Sequence, residues 1–325
     1  MPPLFHPQDQ TGSPFCPRRL GRQAVVYGMS TFSPTDRRSF MRTGIAAGLS
    51  LPFLSAKEDA EPWLKISLQQ YSFNRQIRSG KMDPLDYPAI AVKKTGIKAL
   101  EYFNGFFEDK LNSKSFFTEL KKRTDDLGLK NQLILCRSDL ALDSAKADER
   151  KEAATHLALW GKVAKDLGCH SIRVDCRSGG DREEVKKQAI DGLQQLCDLL
   201  KPIGVDAIVE NHGGWSSKGN WVKEVMQAVK RYNCGTLPDF GNFRKYDKYQ
   251  GVKDMLPWAR AVCAKVHKIT PEGEAAGTDF HRMLTIMKES GFRGYLGIEF
   301  EGGSEPVAGI LGTKKLIERT LKKLG

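Results

Sequence analysis

The chain has 325 residues, of which 40% are hydrophobic, and it carries a formal net charge of +12. This length accommodates one large α/β core, and no run of the sequence approaches the roughly eighteen apolar residues of a membrane-spanning helix. The positive surplus lies mainly in lysine runs such as Lys186-Lys187 on predicted helices, without interleaved aromatic residues. This pattern is typical of a solvated helix face, so we expect no nucleic-acid partner and no membrane insertion of the mature chain.

Residues 1–56 have the features of a leader that directs export. The pair Arg37-Arg38 is followed by an apolar stretch of twelve residues, 43–54. This resembles a twin-arginine (Tat) export signal and predicts that the Tat export machinery carries the folded chain to the periplasm or another extracytoplasmic space. Residues 1–28 exceed what such a signal needs, so either Met1 or Met29 is the true start. The alternative interpretation is a disordered basic leader with a chance arginine pair.

From residue 65 onward, short β-rich runs alternate with amphipathic, lysine-rich helices. We predict eight strands, over residues 65–72, 97–103, 131–137, 171–177, 206–212, 234–239, 261–268 and 294–300. Apolar residues recur every three or four positions between these strands, as in 153–167 and 185–200, which predicts helices. Five glycines each follow a predicted helix and precede a strand, where a left-handed C-cap residue is expected: Gly96, Gly128, Gly168, Gly204 and Gly291.

Eight strand-helix units without a break favour a closed (β/α)8 TIM barrel over an open doubly wound sheet, which would have five or six strands. No Gly-x-Gly-x-x-Gly motif follows the first strand, so the fingerprint of a dinucleotide fold is missing. No linker interrupts residues 60–325, and we therefore expect one α/β domain over 57–325. The seven cysteines show no Cys-x-x-Cys pair, which predicts buried thiols rather than a disulfide framework.

Four residues of metal-ligand type lie near the ends of four consecutive predicted strands. They are Glu210, Asp239, His267 and Glu299, separated by 29, 28 and 32 residues. One strand, one helix and two loops take about that length, so these side chains should meet at the same edge of a parallel sheet. In barrels of this type, that edge carries the chemistry.

Period-two alternation directs these polar residues into the barrel, because unpaired carboxylates against the helices would cost several kcal/mol. Three carboxylates and one imidazole at one point repel as bare charges, and a divalent cation relieves that repulsion. Oxygen and nitrogen ligands without thiolate suit one Mn²⁺, Mg²⁺ or Co²⁺ ion, and Zn²⁺ is also compatible. The register of the seventh strand leaves an alternative open: Lys265 points the same way as His267, and in the ligand position it would weaken metal binding.

The runs Val-Glu-Asn-His-Gly-Gly, Asp-Phe-Gly-Asn and Gly-Ile-Glu-Phe-Glu-Gly, together with the strand-seven histidine, resemble the sugar phosphate isomerase/epimerase superfamily of xylose-isomerase-like TIM barrels. The resemblance covers roughly residues 62–323. In the ketose 3-epimerases of that superfamily, four such residues bind the metal and the two glutamates exchange the proton. The resemblance therefore implies Glu210, Asp239, His267 and Glu299 as metal ligands, with Glu210 and Glu299 also catalytic.

Further residues are candidates for substrate binding. Glu101, Arg173 and Asp175 share the inward parity on strands two and four, and they either bind substrate hydroxyl or carboxylate groups or form a salt-bridged layer in the lumen. His212 either contacts substrate, orients a ligand, or is structural. Asn242 stands where the epimerases carry a substrate-contacting histidine.

These observations predict a metal-dependent isomerase or epimerase of a sugar, keto-sugar or polyol, acting by proton transfer next to a carbonyl through an enediolate. A lyase of the inosose-dehydratase type is one alternative, and a non-catalytic, metal-assisted carbohydrate-binding barrel is another. Endonuclease IV is disfavoured because its metal site is rich in histidines, whereas only His212 and His267 lie at strand ends here. A homo-oligomer is compatible with the sequence.

Overall fold

The computed structural model of the protein describes residues 62–303 and 305–325. The predicted export leader, including Arg37-Arg38 and the apolar stretch 43–54, lies outside the described residues. The leader boundary and the export prediction therefore stay predictions.

The described residues form eight strands that all run parallel. These are β1 (Leu64–Gln69), β2 (Ala99–Phe103), β3 (Lys130–Leu135), β4 (Ser171–Val174), β5 (Asp206–Glu210), β6 (Cys234–Leu237), β7 (Val262–Val266) and β8 (Gly294–Phe300). Their spatial order is β6-β5-β4-β3-β2-β1-β8-β7. Parallel bridges from Thr236 to Ala259 and from Asp239 to Cys263 join β6 to β7 and close the sheet. The predicted (β/α)8 TIM barrel is confirmed.

Helices connect successive strands on the outside of the sheet. They are α1 (Asn74–Arg78), α2 (Tyr87–Thr95), α3 (Lys114–Asp126), α4 (Ala147–Leu167), α5 (Arg182–Leu200), α6 (Gly219–Val229), α7 (Lys248–Met255), α8 (Phe280–Glu289) and α9 (Pro306–Leu324). The five predicted C-cap glycines all adopt positive φ, as at Gly168 (φ 80°), because residues with a side chain are strained there. None of the described helices combines the length and apolar character needed to cross a membrane.

Two apolar regions hold the barrel together. The larger lies between sheet and helices and includes Trp160 of α4 and Trp221 of α6, both fully buried. The smaller lies inside the barrel, where Leu133, Leu135 and Ile208 pack with neighbouring lumen residues. The apolar packing fills part of the lumen and leaves the rest to polar side chains. The six described cysteines are buried free thiols, as predicted.

Six of the eight predicted strands run two or three residues too far at their carboxyl ends, whereas β2 and β8 end at the predicted residues. For example, β4 ends at Val174 rather than residue 177, and β5 ends at Glu210 rather than residue 212. Beyond these points the backbone leaves the ladder and turns toward the next helix. Asp175 and His212 therefore lie just past strand ends, where loop geometry rather than pleat alternation sets the direction of their side chains. Asp239 also follows its strand but keeps a parallel bridge to Cys263.

Candidate active site

A cavity of about 350 Å³ opens at the carboxyl ends of the strands. Its volume is within the range of small-molecule sites. Six of the nine predicted site residues line it: Arg173, Asp175, His212, Asn242, His267 and Glu299. The remaining three, Glu101, Glu210 and Asp239, are buried deeper.

One side of the cavity is built around a buried lysine. Lys265 of β7 is 8% exposed, and its Nζ lies 3.3 Å from Glu299 Oε2, 2.8 Å from Glu301 Oε1 and 3.9 Å from Asp239 Oδ2. We call these four residues the Lys265 cluster. Lys265 and Glu299 are direct neighbours in the β7–β8 ladder, and Asp239 is bridged to Cys263 on the other side of β7. The topology therefore brings three carboxylates onto one ammonium group.

Electrostatics keep that ammonium charged. Burial lowers the pKa of Lys265, but attraction to Glu299, Asp239 and Glu210 outweighs burial and raises the pKa above its ordinary value. Burial also raises the pKa of Glu299, and the ammonium opposes only part of that rise. The pKa of Asp239 is raised to about 6, again chiefly by burial. One positive charge does not fully compensate the burial of Asp239 and Glu299, so these two carboxyl groups hold protons more tightly than exposed ones.

The other side of the cavity is built around an arginine. Arg173 of β4 forms an ion pair through Nε with Glu210 Oε2, and its Nη1 lies 3.0 Å from Asp175 Oδ1. Asn242 Nδ2 donates to Glu210 Oε1 at 2.7 Å. We call Arg173, Asp175, Glu210 and Asn242 the Arg173 cluster. Glu210 therefore has its own cation and its own amide donor, and the two oxygens of its carboxylate are directed to Arg173 and Asn242.

His212 lies at the edge of the Arg173 cluster and lines the cavity. Its Nδ1 is 3.6 Å from Asp175 Oδ1, and burial lowers the pKa of the imidazole. A lowered pKa keeps His212 neutral at neutral pH, and a neutral imidazole can accept or donate a hydrogen bond. His212 is therefore available to a substrate hydroxyl or to a proton transfer.

The structure does not bring the four predicted metal ligands together. His267 is exposed at the rim beyond the end of β7, and Glu210 is paired with Arg173 and Asn242. The position of β7 that faces Asp239 and Glu299 is Lys265. The alternative register left open by the sequence is thus the one adopted, because alternation places Lys265 deep in the barrel and its next inward neighbour, His267, past the strand end.

A smaller possible metal site remains among the described residues. Single ligand atoms of Asp239, Cys263 and Glu299 lie within 4.8 Å of one another. However, burial raises the pKa of the Cys263 thiol well above its ordinary value, and this thiol donates to Glu299 Oε2 at 3.3 Å. The Lys265 ammonium lies at the same distance from the same oxygen. Asp239 Oδ2 is buried without a hydrogen bond, and the ammonium is its nearest countercharge. A divalent ion would have to displace that ammonium, so the residues do not fit the predicted four-ligand metal centre.

Glu101 was predicted to bind substrate, but the structure places it outside the cavity lining. It is fully buried in the barrel, does not line the cavity, and accepts a hydrogen bond from Ser67 Oγ at 2.5 Å. Gly297 makes room for it, since a Cβ at that position would lie 2.4 Å from Glu101 Oε1. Burial raises the pKa of Glu101 to about 7. Alternation correctly predicted that the Glu101 side chain points into the barrel, but the side chain is buried below the floor of the cavity.

Several cavity residues were not among the predicted site residues. Glu301 has the parity of Glu299 on the same strand, so alternation alone was sufficient to find it. Arg137 and Arg244 line the cavity and form no ion pair with any described side chain. Arg137 ends the predicted strand 131–137 and has the parity of the lumen residues Leu133 and Leu135, so alternation could have found it. Arg244 lies in the loop after β6, where no periodicity indicates direction.

Comparison with known proteins supports the fold. Residues 90–323 match the family described as xylose isomerase-like TIM barrel. A search by sequence among curated proteins found no match. Among solved structures, D-psicose 3-epimerase with D-tagatose from Clostridium cellulolyticum H10 has a TM-score of 0.64 at 14% identity, covering 79% of this chain and 99% of that chain.

Two further solved structures show the range of proteins with this fold. The IOLI protein with a bound zinc atom has a TM-score of 0.63 at 17% identity, covering 80% of this chain and 98% of its own. The probable 3-DHS dehydratase AsbF from Bacillus anthracis has a TM-score of 0.57 at 16% identity, with coverages of 80% and 98%. At such identities the likeness concerns the fold. The family model matches well over half of the residues of this chain. The chain therefore belongs to the xylose isomerase-like TIM-barrel family.

Proposed function

We propose that the protein is an enzyme that moves a proton next to a carbonyl group of a small sugar-like or polyol-derived substrate, as an isomerase or epimerase does. The observation that carries this proposal is the pairing of Glu299 with Lys265 in the wall of a polar cavity. A carboxylate beside a fixed positive charge offers a base for a C–H proton and a countercharge for the oxygen anion that forms. A sugar epimerase among the solved structures that share the fold of this chain supports the same reaction class.

Each residue has a distinct part in this proposal. Glu299 accepts the proton, and its raised pKa brings the group closer to the operating pH, where a general base is most effective. His212, neutral and lining the cavity, is placed to return a proton. Arg173 and Asn242 bind substrate hydroxyl or carboxylate groups. Glu210 was predicted to be catalytic, but its ion pair favours a role in positioning Arg173.

The metal dependence expected from the sequence is not part of this proposal. The cation beside Glu299 is the ammonium of Lys265, and no step requires a second one. The family resemblance still predicts a divalent ion, and IOLI was solved with zinc. Metal titration distinguishes a built-in ammonium from a bound divalent ion.

Solvent deuterium exchange tests the proposed reaction. A panel of ketoses and keto-polyols is incubated with enzyme in D₂O and followed by NMR and mass spectrometry. We expect deuterium at the carbon next to the carbonyl of at least one compound, and a loss of about 100-fold or more in rate with Glu299→Gln. The matched control, Glu289→Gln on the exposed surface of α8, should retain the wild-type rate.

Other outcomes would contradict the proposal. A compound that binds but gains no deuterium would indicate a non-catalytic binding barrel. Exchange accompanied by the loss of one water would indicate the lyase alternative. Exchange unchanged in Glu299→Gln would remove Glu299 from the role of base.

We further propose that the enzyme acts after export. Arg37-Arg38 and the apolar stretch 43–54 support this proposal. A reporter fused behind residues 1–60 should be exported by a bacterium that has the twin-arginine pathway, and replacement of both arginines by lysine should abolish export. Export that is unaffected by this replacement would contradict the proposal.

A further inference from the structure

We infer that the ammonium of Lys265 permanently occupies the cation position of this barrel and replaces the divalent ion that the family resemblance predicts. The inference concerns what fills the site and does not depend on which reaction follows. A metal-binding measurement tests it, whereas isotope exchange tests the proposed function, so the two can fail separately.

The first observation is the position of the lysine in the fold. Lys265 lies on the strand between those that deliver Asp239 and Glu299. Any group at this position of β7 that reaches inward meets both carboxylates. His267, the predicted ligand, is two residues further along and exposed. The fold therefore places Lys265, rather than His267, next to the carboxylates of Asp239 and Glu299.

The second observation is the location of the charged atom. Lys265 Nζ lies within 4 Å of carboxylate oxygens from Asp239, Glu299 and Glu301, which belong to two different segments of the barrel. This is the arrangement that a shared cation requires. A divalent ion bound by Asp239 and Glu299 would lie within a few ångströms of an ammonium that cannot move far on its tether, and like charges at that distance repel strongly.

The third observation is that the surroundings accommodate the lysine stem. Gly241, in the loop after β6, has no side chain, and a Cβ there would lie 3.0 Å from Cδ, 3.1 Å from Cγ and 3.2 Å from Cβ of Lys265. Gly241 N also donates to Asp239 Oδ1 at 2.6 Å, which fixes the carboxylate beside the ammonium. The loop thus leaves a channel for the lysine stem and holds one of its partners.

The consequence is a tethered cation that no chelator removes. An ammonium offers three hydrogen-bond donors at one point and can stabilise a developing oxygen anion electrostatically, as other positively charged groups do. It lines the cavity and can reach a ligand. In contrast to a metal ion, it supplies no open coordination positions, so a substrate would be held by hydrogen bonds rather than by chelation.

Metal titration tests this inference. Wild-type protein, purified from metal-replete buffer, is titrated with Mn²⁺ and Co²⁺ and followed by elemental analysis, by the visible absorption of Co²⁺ and by thermal unfolding. We expect no stoichiometric metal, no Co²⁺ absorption band and no shift in melting temperature, with or without EDTA. Lys265→His should gain one equivalent of metal and a rise in melting temperature of at least about 3 °C at saturating metal.

Matched variants remove the ambiguous outcomes. Lys268→His adds a histidine at a neighbouring exposed position and should remain metal-free. If Lys265→His fails to fold, Lys265→Gln removes the charge with little change in size and should bind Co²⁺ more weakly than a histidine site but measurably. Stoichiometric metal in the wild type that is lost in His267→Ala or Glu299→Gln would overturn the inference. A folded Lys265→His that stays metal-free would also overturn it, because the ammonium would then not be what excludes the ion.

Discussion

Both sides of the cavity hold buried carboxylates next to a cation, but they differ in how the negative charge is compensated. In the Arg173 cluster, two carboxylates share one guanidinium, and Glu210 has Asn242 as an additional donor. In the Lys265 cluster, three carboxylates share one ammonium. In the Arg173 cluster the negative charge is compensated by several donor groups, whereas in the Lys265 cluster it is compensated by the single atom Nζ.

This difference indicates where the site is sensitive. Formal charge leaves the Lys265 cluster more negative than the Arg173 cluster, and burial raises the pKa of both Asp239 and Glu299. In this chain the residue that β7 directs toward Asp239 and Glu299 is a lysine, so the cation beside these carboxylates belongs to the protein itself.

Removal of the ammonium should have the largest effect on stability. Lys265→Met leaves the buried carboxylates without a countercharge and should lower the free energy of unfolding at pH 7 by about 3 to 5 kcal/mol. Urea denaturation measures this loss. Lys268→Met, at an exposed position, is the control and should change stability by less than about 0.5 kcal/mol. A loss below about 1 kcal/mol in Lys265→Met would show that the ammonium is not the main countercharge.

Removal of the guanidinium should cost less. Arg173→Met leaves Glu210 with its hydrogen bond from Asn242, so we expect a loss of roughly 2 to 4 kcal/mol. The comparison requires both variants in the same buffer and denaturant. If Arg173→Met proved more destabilising than Lys265→Met, the Lys265 cluster would not be the one that depends more strongly on a single cation.

Glu101, which is buried deeper in the barrel than both clusters, should make the free energy of unfolding depend on pH. Its pKa in the folded chain is about 7, against an ordinary value of 4.5, so the folded state retains a proton that the unfolded state loses. The stabilising contribution is fully present below pH 4.5 and is lost as pH rises through 7, by up to about 3 kcal/mol.

Glu101→Gln is the variant that isolates this effect. The amide oxygen can still accept from Ser67, but the side chain no longer titrates. The stability of the variant relative to wild type should therefore rise between pH 4.5 and pH 8. Parallel stability curves for the two proteins over that range would contradict the raised pKa.

The smallest expected effect concerns the channel for the lysine stem. Gly241→Ala presses a methyl group against Lys265 and should destabilise the protein by about 1 kcal/mol. Gly179→Ala is the control, since a Cβ there meets nothing within 4 Å. Thermal unfolding compares the two. Equal melting temperatures would show that the lysine stem has room to move.

The sequence predicted the barrel because strand periodicity, helix periodicity and the C-cap glycines all agree along the chain. Gly96 and Gly168 marked helix ends correctly, since positive φ is a local requirement. Strand ends were less certain: the residues after Val174 and Glu210 keep a β-like composition although the backbone has left the ladder. Local patterns thus fix the elements better than their boundaries.

The candidate site was only partly predictable. Alternation placed Asp239, Glu299 and Arg173 in the lumen, but depth along the barrel axis depends on the shear between strands, which no local pattern records. For that reason Glu101 was placed too near the mouth. Likewise, Lys265 and His267 have the same parity, and only the closed barrel shows that Lys265 meets the carboxylates.

We expect the cation among Asp239, Glu299 and Glu301 to be the Lys265 ammonium rather than a metal ion. The most direct test is a crystal structure of the wild-type protein soaked in Mn²⁺, with diffraction data collected at the manganese absorption edge. We predict density for Lys265 Nζ between the carboxylates and no anomalous peak at that point. An anomalous peak bonded to Asp239 and Glu299, with the lysine displaced, would contradict the account.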